Sequence, residues 1–212
     1  MVPNIGLFGG TFDPPHLGHL ILASEARQRL QLTRLIWMLT PISPHKVGNS
    51  ITEPQHRIEM LKLALADEPA FELSTLELDR PAPQFTIETL EILQRQNPAA
   101  DLTLLLGADS LRGLHTWHRP ADLVRACHTI GVMRRPGESI QLDALEAILP
   151  GLTEKVRFVE APLLEISSRE IRRRVKEGLE FRYFVPRAVY EYIREHRLYD
   201  GSKHDTGTHV NR

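Results

Sequence analysis

The sequence predicts an α/β protein: a doubly wound, Rossmann-like parallel sheet with a small C-terminal helical cap. Short apolar runs alternate along the chain with longer stretches of helical spacing. Several of those runs are apolar on both faces, as strands covered by helices on two sides must be. The first run also passes through a glycine loop straight into a helical pattern. The 212 residues make one ordinary domain, large enough to bury a proper core. That domain is expected over residues 1–200, with the helices from about 167 forming the cap. The polar stretch 201–212 has no periodicity and reads as a disordered tail.

The expected strands are Asn4–Phe8, Arg34–Leu39, Phe71–Leu76, Leu102–Leu106, Thr129–Met133 and Val156–Phe158. Between them the spacing predicts helices over Leu17–Leu30, Glu53–Ala66, Thr86–Gln96, Ser110–Trp117 and Leu142–Leu149. Two more follow, Arg169–Glu177 and Pro186–His196. Thr52-Glu53-Pro54-Gln55 has Thr and Gln at capping-box spacing with Pro in the first turn. Ser167-Ser168-Arg169-Glu170 repeats that logic with Ser and Glu. Trp37 and Met38 lie in a strand pattern and read as core, and Cys127 reads as a small buried residue.

Composition narrows the functional classes. Apolar residues are 42% and charged residues 25%, which argues against wholesale disorder. Net charge is −1 and the charges are mixed, so no basic face for avid nucleic-acid binding is expected. A single cysteine permits no intramolecular disulfide and fits a reducing cytoplasm. No apolar stretch approaches the ~20 residues of a membrane span, and no secretion signal is seen. Both a monomer and a homo-oligomer stay open.

The most informative segment is Gly9-Gly10-Thr11-Phe12-Asp13-Pro14-Pro15-His16-Leu17-Gly18-His19. Gly9 and Gly10 let the backbone approach a ligand closely. Asp13-Pro14-Pro15 is a stiff turn that delivers the chain to a helix start. His16 and His19 share a helix face, and Gly18 between them leaves room for a flat or bulky ligand group. Two imidazoles at a helix N-terminus suit a nucleotide phosphate and charge developing on phosphorus. No metal-ligand set of side chains accompanies them.

A second anion cradle is read in Ile166-Ser167-Ser168-Arg169-Glu170-Ile171-Arg172. Hydroxyls and amides at the helix start point outward, and Arg172 adds a charge-assisted contact. Leu106-Gly107-Ala108-Asp109-Ser110 ends a strand, where such sheets place their ligands. Asp109 either accepts from a ribose hydroxyl or an adenosine group, or caps the next helix. Trp117 either stacks on a flat ring or belongs to the core. Lys46 in Pro41-Ile42-Ser43-Pro44-His45-Lys46 is a compact cation suited to phosphate, or a solvated lysine.

These segments resemble a known family. The first is similar to the signature of the nucleotidylyltransferase superfamily, whose H-x-G-H motif is shared with class I aminoacyl-tRNA synthetases. The chain from about Asn4 to Leu198 resembles the bacterial nicotinate-nucleotide adenylyltransferases. The resemblance implies transfer of AMP from ATP to nicotinate mononucleotide with Mg²⁺, giving deamido-NAD and pyrophosphate in NAD biosynthesis. It implies His16, His19 and Arg172 as catalytic residues. It places ATP on Gly9, Gly10, Thr11, Phe12, His16, Gly18, His19, Gly107, Asp109, Ile166, Ser167, Ser168 and Arg172. Arg169 stands where the family's I-S-S-T-x-I-R motif usually has Thr.

The same resemblance places the mononucleotide on Thr11, His45, Lys46, Arg57, Phe85, Thr86 and Trp117. Ser43 replaces a common proline of the P-x-x-P-P-H-K loop. Arg57 alternatively reads as a surface salt-bridge partner. Glu77-Leu78-Asp79-Arg80 and Gln84-Phe85-Thr86-Ile87-Glu88-Thr89-Leu90 resemble the family's E-L-x-R and S-Y-T-x-D-T-L segments, with Phe85 for Tyr and Glu88 for Asp. There, amides at a helix start face the nicotinate carboxylate, and such an end prefers an anion to a neutral amide. The alternatives are an adenylyltransferase for nicotinamide mononucleotide or another phosphorylated acceptor, and a noncatalytic nucleotide sensor. An RNA-handling module fits less well, because the chain is near-neutral and lacks a K-M-S-K-S-like loop.

Overall fold

The computed structural model describes residues 2–41, 51–134, 140–162 and 164–201. Six parallel strands form one sheet in the order β3-β2-β1-β4-β5-β6. They are β1 (Asn4–Gly10), β2 (Arg34–Leu39), β3 (Phe71–Ser74), β4 (Asp101–Gly107), β5 (Thr129–Arg134) and β6 (Val156–Glu160). The strand order reverses between β1 and β4, so the sheet's switch point lies at their carboxyl ends. Gly9, Gly10 and Gly107 sit there. The pairings Phe8 with Trp37 and Phe8 with Leu105 fix which side chains share a face.

Helices cover both faces. α1 (Leu17–Arg29) and α2 (Pro54–Leu65) follow the first two strands, and α3 (Thr86–Gln96) follows the third. α4 (Ala108–Arg112), α5 (Pro120–Ala126), α6 (Asp143–Ile148) and α7 (Leu152–Lys155) serve the second half. Ile5, Leu7, Ile36, Met38, Leu104 and Leu106 point to the face closed by α3 and α5. Phe8, Leu35, Trp37, Leu39 and Leu105 point to the opposite face, against Ala23 and Ala26 of α1 and Leu61 of α2. This two-residue alternation explains why the central strands are apolar throughout. Trp37 and Met38 are core, as expected, and so is Cys127, whose thiol burial pushes up to about 12.

The cap consists of α8 (Ser168–Lys176) and α9 (Arg187–Glu195). Ile171, Phe181, Val185, Val189, Ile193 and Leu198 form its own core around Met60 of α2. α2 is therefore buried on two sides, with Leu61 toward the sheet and Met60 toward the cap. Among the described residues, no helix is long and apolar enough to cross a membrane. The expected tail from 202 onward lies outside the described residues.

Three local expectations need correction. The start of α2 has no capping box: Glu53 is the N-cap and makes no side-chain cap bond. Thr52 is instead drawn into tertiary bonds, its amide to Asp13 and its carbonyl to Arg57. The helix expected over Ser110–Trp117 is broken into α4 and a 3₁₀ turn, Leu114–Thr116, separated by Gly113. α5 was not expected; it begins after Arg119, which takes a left-handed conformation, with proline in its first turn.

Candidate active site

The glycine loop leaves β1 through Thr11 and Phe12. Phe12 has φ 46°, a left-handed conformation that costs a bulky residue about 1–3 kcal/mol. Its buried ring offsets that cost by packing edge-on to Phe8 and His19, with centroids 5.5 and 5.1 Å away. Phe12 thus contributes its backbone to the loop surface and its side chain to the core. Among the described residues, nothing lies within 4 Å of a Cβ built on Gly9 or on Gly107, so neither strand end is covered by them.

His16 and His19 form a reciprocal cap at the start of α1. The His19 amide donates to His16 Nδ1 and the His16 amide donates to His19 Nδ1, each at 3.3 Å. The rings stack with centroids 3.6 Å apart. Because both Nδ1 atoms accept, the proton of each ring in its neutral form sits on Nε2. His16 is 5% exposed, and burial pushes its pKa down to about 4. It works as a neutral hydrogen-bond donor, not as the imidazolium that strengthens phosphate contacts. The expectation that Gly18 makes room for ligand is also corrected. A Cβ there would lie 3.1 Å from His16 Nδ1 and 3.7 Å from Ile166 Cβ, so the space holds the stacked ring and the α8 approach.

The second motif meets the first. Ser168 Oγ donates to the Pro14 carbonyl at 2.8 Å, and Arg172 Nη1 donates to the Asp13 carbonyl at 2.6 Å. The starts of α1 and α8 are thus joined across one loop, although they lie about 150 residues apart in sequence. Ser167 caps α8 by accepting from the Glu170 amide at 3.2 Å. The two hydroxyls therefore do not point outward as the sequence suggests; one closes the helix and the other is a strut. The reciprocal half of the expected box is replaced, because the Glu170 carboxylate pairs with Arg173 and Arg174. Arg169 is exposed at this helix start.

Beneath the loop sits a network that the sequence did not reveal. Asp13 is 4% exposed; its Oδ1 accepts from the Tyr199 hydroxyl at 2.7 Å and its Oδ2 from the Thr52 amide at 3.2 Å. Arg57 is 1% exposed and donates to the carbonyls of Thr52, Thr11, Thr40 and Pro41 at 2.8–3.1 Å. Both sequence readings of Arg57, as a mononucleotide contact and as a surface ion pair, are therefore corrected. It is a buried brace with four of its five N–H donors engaged by backbone carbonyls. Tyr199 gave no signal beyond being an aromatic residue just before the polar tail.

The acceptor-side residues gather around the start of α3. Phe85 is its N-cap and makes no side-chain cap bond, so the first amides, including that of Thr86, are uncapped by side chain. Phe85 stacks on His118 at 4.0 Å. Trp117 is half-buried against the core beside it, keeping part of its ring accessible. Behind them Thr89 Oγ1 donates to the buried Glu77 and accepts from Arg80 at 2.7 Å. Burial raises the Glu77 carboxyl above its ordinary value, with Thr89 and Arg80 opposing. Asp109 does not cap α4, whose N-cap is Gly107; it is solvent-exposed and pairs with Arg112. His45 and Lys46 lie outside the described residues. Among the described residues, no three His, Cys, Asp or Glu side chains come together to hold a metal ion.

A parallel sheet with two helix starts meeting at its switch point defines a nucleotide-binding α/β enzyme. The family model of the cytidylyltransferase-like proteins matches residues 7–174. A Thermomicrobium roseum protein named probable nicotinate-nucleotide adenylyltransferase is 43% identical over 196 residues, covering 92% of this chain and 91% of its own. One of the same name from Thermus thermophilus is 44% identical, covering 92% and 99%. A solved Plasmodium falciparum nicotinic acid mononucleotide adenylyltransferase, complexed with NaAD, superposes with a TM-score of 0.75 at 19% identity, covering 93% and 98%. The chain belongs to the cytidylyltransferase-like family and, within it, to the nicotinate-nucleotide adenylyltransferases.

Proposed function

We propose that the protein transfers the adenylyl group of ATP to nicotinate mononucleotide, releasing pyrophosphate and nicotinate adenine dinucleotide. The observation that carries this reading is the junction of the α1 and α8 starts through Ser168 on Pro14 and Arg172 on Asp13. Two helix N-termini and a guanidinium around one loop favour a polyphosphate.

In this reading the acceptor's 5′-phosphate oxygen attacks the α-phosphorus of ATP in line, and pyrophosphate leaves. Positioning and charge stabilisation supply the catalysis, and no enzyme nucleophile is required. The Nε2–H groups of His16 and His19 donate to the transferring and leaving phosphates. Arg172 and the α8 amides hold the pyrophosphate. Gly9, Gly10 and the Thr11–Phe12 backbone line the phosphate path, and Gly107 and Asp109 lie on the nucleoside side. Lys46 and His45 are assigned to the acceptor from their sequence context alone. Phe85 and Trp117 flank the pyridine ring, whose carboxylate faces the Thr86 amide. A divalent ion such as Mg²⁺ fits this donor set only when held by phosphate and water oxygens, because the buried Asp13 already has two hydrogen-bond donors. Bound there, it would neutralise charge on the triphosphate.

The test is paired turnover with nicotinate and nicotinamide mononucleotides under identical Mg²⁺-ATP, read by pyrophosphate release. A helix-end preference of about 0.3–2 kcal/mol predicts a roughly 2- to 30-fold advantage for the acid. No pyrophosphate release with either acceptor overturns the reading.

A further inference from the structure

We propose that Arg119 is a positioning residue for the acceptor: with His118 it fastens the turn that carries Trp117 along α3, and so sets the slot between the indole and the helix start. This rests on the reading of Phe85, Thr86 and Trp117 as the place of the pyridine ring.

Trp117 ends the 3₁₀ turn, and its amide donates to the Leu114 carbonyl at 3.0 Å. From there the chain reaches α5 through His118 and Arg119 alone. Both of these residues attach to α3. His118 lays its ring on Phe85, the N-cap of that helix, with centroids 4.0 Å apart and planes 24° apart. Arg119 Nη2 donates to Glu91 Oε1 further along α3 at 2.8 Å. Its Nε donates to Asp122 Oδ2 in the first turn of α5 at 2.6 Å. Phe85 and Glu91 stand roughly 9 Å apart along the helix axis at 1.5 Å per residue. Two attachments that far apart fix the direction of the segment against α3, whereas one alone would let it pivot. Trp117 is therefore held from both sides, by Leu114 behind it and by the two fastened residues ahead.

The backbone shows that the arginine is imposed on this turn. Arg119 has φ 51° and ψ 54°, a left-handed conformation that a long side chain adopts only where its surroundings over-determine it. Its carbonyl starts α5 by accepting from the Leu123 amide at 3.0 Å. Glycine would take such a turn at less cost. Arginine adds a planar fork that spans two carboxylates on two helices. The side chains of Arg119, Glu91 and Asp122 are 42%, 37% and 32% exposed, so these pairs add little to global stability. What they govern is local: the direction of the turn beside the indole.

The test is steady-state kinetics of the full chain with nicotinate mononucleotide and Mg²⁺-ATP, together with acrylamide quenching of fluorescence. Of the two tryptophans, Trp37 is 0% exposed and Trp117 is half-buried, so quenching reads Trp117. Arg119→Ala is expected to raise the acceptor KM about three- to tenfold and to increase quenching, with kcat and ATP KM within about twofold. Arg119→Gly keeps the turn and loses the guanidinium, so its acceptor KM should rise equally. Glu91→Gln should act in the same direction, and adding it to R119A should cost less than about 1.5-fold more. Arg125→Ala removes only the other partner of Asp122 and should leave the acceptor KM within about 1.5-fold. A merely structural role lowers the folding midpoint without a selective change in acceptor KM. An R119A acceptor KM within about 1.5-fold of the parent's, its recovery in R119G, or an equal rise in R125A overturns the proposal. So does full multiplication of the R119A and E91Q effects. If the Arg119 variants do not fold, E91Q decides: a selective rise of about twofold or more supports the proposal and a smaller one overturns it. If the parent releases no pyrophosphate, the functional reading fails and quenching alone decides: no increase in R119A overturns the fastening of Trp117.

Discussion

Replacing Arg57 by alanine tests whether the catalytic loop is held from beneath. The guanidinium donates at 3.0 Å to the Thr52 carbonyl, 3.0 Å to Thr11, 2.8 Å to Thr40 and 3.1 Å to Pro41. Charge-assisted bonds of this kind contribute about 1.5–3 kcal/mol each, but they are not additive, and the buried cation carries its own desolvation cost. Burial lowers the Arg57 pKa, and the nearby Asp13, Tyr199 and Glu53 oppose that shift. Removing one side of such a buried charged network costs about 3–5 kcal/mol, because the partners are left unpaired. At about 2–4 °C per kcal/mol for a chain of this size, the melting midpoint should fall by roughly 6–20 °C. Urea titration gives the free energy directly, and a constant slope would show that the loss is in native stability. Lysine keeps the charge but cannot reach four carbonyls, so R57K should recover only part of the loss. A cost below about 1 kcal/mol, accompanied by a raised acceptor KM, would refute the brace and restore Arg57 as a ligand contact.

Three further outcomes follow from the same geometry. His19→Ala should reduce turnover about 10²-fold or more in a protein that still folds, measured by pyrophosphate release; near-normal turnover would remove His19 from the chemistry. His16 is held neutral down to about pH 4, below the ordinary histidine value of 6.5. Between those two values the unfolded chain binds the extra proton, so stability rises with pH through that window and is lost as pH falls through it. The integrated effect is about 3 kcal/mol, and denaturation series of the parent and His16→Asn at pH 4.5 and 7.5 should differ accordingly. Gly18→Ala should improve helix propensity by up to about 1 kcal/mol. Its Cβ would crowd the His16 ring at 3.1 Å, and kcat should fall while the melting midpoint changes little.

Most of the fold was legible because its signals are local. Strands apolar on both faces announced a sheet covered on two sides, and Trp37 and Met38 fell in the core as their pattern implied. The glycine loop and the serine-capped helix were visible as motifs, and the structure brings them to one place. What stayed hidden depends on long-range pairing. Arg57 looks like an ordinary helical arginine because its partners are main-chain carbonyls, which leave no trace in residue type. Thr52 has the spacing of a cap, but its amide is taken by Asp13, 39 residues away, and its carbonyl by Arg57 on the following helix. α5 was missed because seven residues with two buried side chains, Leu123 and Val124, carry too little periodicity to register.

The mutual tethering of the two imidazoles restricts what can attack here. Each inner ring nitrogen already receives a main-chain hydrogen, so neither ring offers a lone pair outward to pull a proton from an incoming group. A nucleophile that depends on these two rings must therefore arrive already ionised. A phosphate monoester, with its second pKa near ~6, meets that demand at neutral pH, and an ordinary alcohol does not. The first turn of α1 thus screens reactants by their acidity before any pocket screens them by shape.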